Sequence, residues 1–168
     1  MSSMNSKYSK VDYAGRTVDL LLLKTILDIP VVNRRVGIDV SNVSGEPMIV
    51  SGVEKLAQRY AICFINAMGS TKFVQYHGTN IVPQVANGHV YNMSTLEAES
   101  ALANLHARSQ IIAADEGEDT PDDEKLVASD VIDLVFSRER AMVRISVRLT
   151  TAAGKSYVYV IPVAVGVR

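Results

Sequence analysis

The sequence predicts an α+β domain, with two main helices packed on a small, mainly antiparallel sheet that ends in a β-hairpin. Three observations predict it. Val53, Leu56, Ala57, Tyr60, Ala61, Phe64 and Met68 recur at helical spacing, so one face of that segment is built for burial. Leu96, Ala98, Ala101, Leu102, Leu105 and Ile112 form a second helical series. From Val131 to Val163 the period changes to two, the signature of strands with one buried face. A length of 168 residues and an apolar fraction of 48% suit one domain with a real core.

Taken in order, residues 1–14 read as a flexible arm, polar and serine-rich at its start, and residues 15–168 as a single domain. Thr17 to Leu23, TVDLLLL, is a short apolar run that reads as a strand, and Pro30 ends that segment. Gly37, Asn42, Gly45 and Pro47 are turn residues that leave room for short strands at Val36–Val40 and Met48–Val50. Ser51 and Glu54 then have the spacing of a capping box, and Gly69 stands where a left-handed residue would close the helix. Ile62, Cys63 and Ile65 widen its apolar face, as expected of a central helix.

Ser70 to Val90 shows little periodicity and contains Gly78, Pro83 and Gly88. It reads as a long connection, a common place for contact surfaces. Ser94 and Glu97 suggest a second capping box, opening a helix that ends near Ile112. Ala113 to Lys125 holds seven acidic residues and reads as a solvated loop. A cation site or a docking surface for a basic partner are the sharper readings, but the EF-hand order is absent.

The last third is the clearest β region. Ile132, Leu134 and Phe136 share one face of a first strand. Val143, Ile145, Val147 and Leu149 point one way from a second, with Arg144, Ser146 and Arg148 opposite. Ala152–Ala153–Gly154–Lys155 is a turn, and Ser156 to Val163 returns. Pro162 cannot donate to a ladder, which puts the end of the last strand at an edge or beyond the sheet. That strand is apolar on both faces, a liability unless another chain covers it. Tyr157, Val158, Tyr159, Val160 and Ile161 are therefore the candidate partner-binding residues, by strand addition.

Several classes find no support. A net charge of −1 gives no bulk reason for nucleic-acid binding, and no stretch is long enough to span a membrane. No basic segment leads into an apolar one at the N-terminus, so no signal peptide is expected. The single cysteine excludes an internal disulfide framework. His77, His89 and His106 lack the spacing of a ligand pair. Gly69–Ser70–Thr71–Lys72 has its lysine on the wrong side of Ser/Thr for a phosphate loop, and no G-x-S-x-G occurs. No catalytic residue, cofactor or metal is expected.

One set of motifs, in order, resembles a known family. Gly52, Lys55, Leu56, Gln58 and Arg59, then Gly69–Ser70, then Gly78–Thr79, resemble the G-x-Q-K-L-x-Q-R helix, T-x-x-G-S and G-[ST] of the baseplate wedge, or tail sheath initiator, family of contractile-tailed phages. Older usage calls that family lysozyme-like. A capped helix ending in Arg108 and the terminal hairpin extend the resemblance from about Gly15 to Val163. Members often carry Glu-Pro-Arg where this chain has His106–Ala107–Arg108, so only the arginine is kept. The resemblance implies a non-enzymatic subunit of the virion baseplate, assembled in the host cytoplasm, with six copies per particle. Its implied partners are the tail sheath protein, which adds strands to its sheet, and the wedge proteins, with Arg108 as a contact. Another tail or neck adaptor, or the corresponding subunit of a contractile injection system, is the alternative. A cell-wall-degrading enzyme is a further one.

Overall fold

A computed structural model gives the fold, and it describes residues 19–20, 42–43, 46–47, 49–70, 72, 75–137 and 142–164. The arm at 1–14 and the strand expected at Val36–Val40 lie outside the described residues. Among the described residues, four two-residue strands come first: β1 (Asp19–Leu20), β2 (Asn42–Val43), β3 (Glu46–Pro47) and β4 (Ile49–Val50). β1 pairs with β4 and β2 with β3, both antiparallel. Then follow α1 (Val53–Ile65), α2 (Ile81–Ala86), α3 (Met93–Asp115), β5 (Leu126–Ser137), β6 (Met142–Thr151) and β7 (Ser156–Ala164). The last three strands form one antiparallel sheet in the order β5-β6-β7. α3 lies on β5, while α1 and α2 lie on β7. The fold is α+β, as the patterning predicts. Among the described residues, no helix is long and apolar enough to cross a membrane.

β6 carries the predicted alternation, except that Ser146, expected outside with the arginines, is buried as well. Val143, Ile145, Val147 and Leu149 are fully buried, and Arg144 and Arg148 are exposed. They meet Leu56, Tyr60, Phe64 and Cys63 of α1 in one core. β5 departs from the expected alternation at one residue. Val131 pairs with Val147 and Asp133 with Ser146, so Ile132 is a bulge with no partner. Leu134 and Phe136 pack on the core, whereas Ile132 is exposed.

The ends of the helices correct the local reading. α1 has no Ser51–Glu54 capping box; its N-cap is Gly52, with φ 63° and no side-chain cap. The Gly52 amide instead donates to Glu124 Oε1 at 3.0 Å, across 72 positions. Its other oxygen takes Lys55 Nζ, also at 3.0 Å. A carboxylate from a distant loop does the work that the local motif suggests for Glu54. At the far end, α1 stops at Ile65 rather than running to Gly69. Thr79 Oγ1 donates to the Phe64 carbonyl at 2.6 Å, satisfying an end group of the last turn. Gly69, at φ 80°, closes the tight turn beyond the helix.

α3 starts on Asn92, not Ser94. The Asn92 side chain accepts from the Thr95 amide at 2.8 Å, and Thr95 Oγ1 accepts from the Asn92 amide at 3.2 Å. Asparagine caps as well as serine, which leaves Ser94 inside the helix. The helix also runs three residues past Ile112. Its buried stripe is Leu96, Ser100, Ala103, Ala107, Ile111 and Asp115. Of the series expected in the core, only Leu96 is buried. Leu102 and Leu105 are 52% and 59% exposed. Small residues let the helix lie close on the sheet, and the leucines take the opposite face.

Two further expectations change. The connection at 70–90 contains α2, with Ile81 and Val85 in the core. Six residues are too few to show a period, and Pro83 sits in the first turn, where a missing amide costs no helical bond. The acidic stretch is not wholly solvated either. Glu124 is buried on Lys55, and Asp115 is buried on Arg59, with Nη2 to Oδ1 at 2.8 Å.

Candidate protein-docking edge

β7 is one of the two outer strands of its sheet, β5 being the other, and its pairing to β6 runs from Thr150↔Ser156 to Met142↔Ala164. The turn sets which backbone groups face inward. The Thr151 amide donates to the Lys155 carbonyl at 2.9 Å, and the Gly154 amide to the Thr151 carbonyl at 3.0 Å. Gly154 adopts φ 74°, a conformation that favours glycine. Antiparallel pairs alternate between bonded and non-bonded from that point. Tyr157, Tyr159 and Ile161 therefore bond to β6. Ser156, Val158, Val160 and Pro162 turn their backbone groups toward the outer edge. Pro162 fits this phase, since no amide is asked of it there.

The side chains sort in the same way. Ile161 and Val163 are buried, and Tyr157 and Tyr159 pack half-buried on the core with ring centroids 6.5 Å apart. Val158 is 49% exposed and Val160 half-buried on the other face, opposite Arg148 and Ser146. The five predicted residues thus divide. Tyr157, Tyr159 and Ile161 hold the strand to its domain, and Val158 and Val160 present both backbone donors and apolar surface outward. Among the described residues, no strand pairs with this edge.

Arg108 stands elsewhere. It is half-buried on α3, and its Nη2 donates to the Val127 carbonyl of β5 at 3.2 Å. The structure does not bring it to the β7 edge.

The residues that carry the family resemblance form a frame around α1. Lys55 and Arg59 bind the buried carboxylates Glu124 and Asp115. The Gln110 side chain grips Gly78 at both backbone groups: Oε1 accepts from its amide at 2.8 Å, and Nε2 donates to its carbonyl at 2.9 Å. Gly78 has φ 109°, and a Cβ there would stand 2.5 Å from the Asn66 carbonyl oxygen. Nothing but glycine fits. Sequence reasoning missed Gln110, Asn104 and Glu124, whose partners lie far away in the chain. Asn104 accepts from Tyr60 Oη at 2.5 Å and from Ser129 Oγ at 2.7 Å, tying α1 to α3 and β5. Burial raises the Tyr60 phenol far above its ordinary value, with Ser129 opposing. Burial also raises the Cys63 thiol, with the Gly78 backbone opposing. Among the described residues, no group of three or more His, Cys, Asp or Glu is placed to hold a metal ion.

No family model matches the chain, and no curated protein matches it. Among solved structures, it is similar to a crystal structure of a candidate tail lysozyme from Geobacter sulfurreducens. The identity is 18%, the match covers 71% of this chain and 97% of that one, and the TM-score is 0.47. A likeness of that size says nothing about activity.

Proposed function

We propose that this chain is a non-enzymatic joining subunit of a contractile phage tail baseplate, which links the wedges to the first sheath ring. The observation that carries the proposal is the outer edge of β7, where Val158 and Val160 offer donors and apolar surface together. A strand from the sheath protein adds to that edge, and six copies around the tube template the ring. A few backbone hydrogen bonds at ~1 kcal/mol each give only several kcal/mol. Burial of the valines adds to that. The order and spacing of the Gly52-to-Thr79 motif support the same reading from the sequence side. Arg108, seven residues before the end of α3, is assigned to the wedge proteins in this scheme.

The test is capture of the tail sheath protein of the same virus by the purified chain. Wild type binds, Val158→Asp and Val160→Asp lose binding, and Arg144→Ala keeps it. Equal loss from all three, or none from any, removes the edge from the account. A turbidity assay on cell walls addresses catalysis. No lysis is expected, and lysis abolished by a single carboxylate substitution would overturn the structural role.

A further inference from the structure

The outward face of α3 carries a pattern that the sheath-joining role does not use. Ala98, Leu102, Leu105, Ser109 and Ile112 follow one another at spacings of four, three, four and three. That is the heptad alternation of a helix seam. The stripe lies opposite the buried stripe of the same helix, and both leucines are more than half exposed. Leucines held on the outside of a helix whose inside at the same level is Ala103 and Ala107 mark a surface meant for contact.

The stripe is also self-complementary. From Ala98 to Ser109 it runs small, Leu, Leu, small when read from either end, centred between Leu102 and Leu105, and Ile112 lies beyond that symmetric core. In an antiparallel pair about a twofold axis, Leu102 of one copy layers on the partner's Leu105, and Ala98 on the partner's Ser109. The flank agrees. Glu99 and His106 border the same side of the stripe, where they line a shallow groove with Asn80 and with Ile81 and Gln84 of α2. Antiparallel pairing brings Glu99 beside the partner's His106, a carboxylate acceptor beside an imidazole donor, and the symmetry repeats the pair. A parallel pair sets no opposite groups together there. We infer that α3 is a self-association surface, through which two copies of this chain pair antiparallel with Leu102 and Leu105 at the centre.

The pairing is weak by construction. Two leucines and two small residues per helix bury less than the ~800 Å² per partner of a standard interface. Association is expected only at high micromolar concentration or above, as a state of the free subunit that assembly displaces.

The experiment is sedimentation equilibrium of the full chain over a wide concentration range, joined to cross-linking. Wild type shifts from monomer toward dimer as concentration rises. Leu105→Asp weakens the dimer on the order of tenfold or more, as a central charge does. Its thermal melt stays unchanged, because the side chain is exposed in the monomer. Val158→Lys leaves the dimer intact, which separates this surface from the β7 edge. Under mild oxidation, Ala98→Cys mixed with Ser109→Cys gives a disulfide-linked dimer, and neither variant does so alone, because each stands about 16 Å along the helix from its own copy. A chain that stays monomeric at every concentration overturns the inference. So does a dimer lost with Val158→Lys, or self-linking of either single variant.

Discussion

α1 and α3 both pack on the same sheet, and they differ in where the middle of each helix points its large side chains. α1 turns Leu56, Tyr60 and Phe64 into the core. α3 turns Ala103 and Ala107 inward and holds Leu102 and Leu105 outside. The difference lies in what anchors each helix. α1 is fixed at its start by Glu124, at its middle by Asp115 through Arg59, and at its end by Thr79. α3 is fixed along its inner side by Asn104 to Ser129, Gln110 to Gly78 and Arg108 to Val127. Those polar side chains decide which stripe of α3 meets the sheet, and apolar spacing alone does not.

Tyr60→Ala and Leu105→Ala put the contrast at its widest. Truncation of the buried ring should cost roughly 3–5 kcal/mol, with Asn104 losing a donor as well. The same truncation at Leu105 should stay within about 0.5 kcal/mol at concentrations where the chain is monomeric. Denaturant unfolding reads both, and comparable losses would show that α3 is buried on its leucine face. Gly78→Ala comes next. The added methyl meets the Asn66 carbonyl at a backbone angle that L-residues avoid, so roughly 3 kcal/mol is expected from strain and overpacking. A wild-type melt would show that the Gln110 clamp is not needed to close α1.

Glu124→Gln sharpens the comparison at the other end of α1. Lys55 loses its buried counter-ion, and about 3 kcal/mol should go with it. Glu54→Gln, at the exposed position that the local motif favours, should change little. The smallest effect is alkaline. The raised Cys63 and Tyr60 values mean that the folded chain holds these protons more tightly than the unfolded one. Their contribution is complete below the ordinary thiol value of 9.0. Its loss begins as pH passes 9.0 for the thiol and 10.0 for the phenol, and continues up to the raised values of the folded chain. A melting temperature that falls above pH 9, less steeply in Cys63→Ala, is the expected result.

What the sequence made legible follows the range of the forces involved. The alternation of β6, the hairpin and the edge position of Pro162 depend on near neighbours, and all are readable. The apolar stripe of α1 is readable because it is nearly continuous around Tyr60 and Phe64. The N-cap of α1 is not, because Glu124 arrives from 72 positions away. The inner face of α3 is hidden because two apolar stripes share one helix, and the choice between them rests on Asn104 and Gln110. α2 is too short to show a period. The bulge at Ile132 shifts the alternation of β5 without any turn residue to announce it. At the candidate edge, the five residues were identifiable as a strand, but their division into holding and presenting positions needed the hydrogen-bond phase of the turn.

Amide hydrogen exchange along β7 tests the docking edge most directly, first in the free chain and then with the sheath protein bound. The account predicts slow exchange at Tyr157, Tyr159 and Ile161 in both states. Val158 and Val160 should exchange fast in the free chain and become protected when the sheath protein binds. Protection of Val158 and Val160 in the free chain, or fast exchange at both with the sheath protein in place, would contradict it.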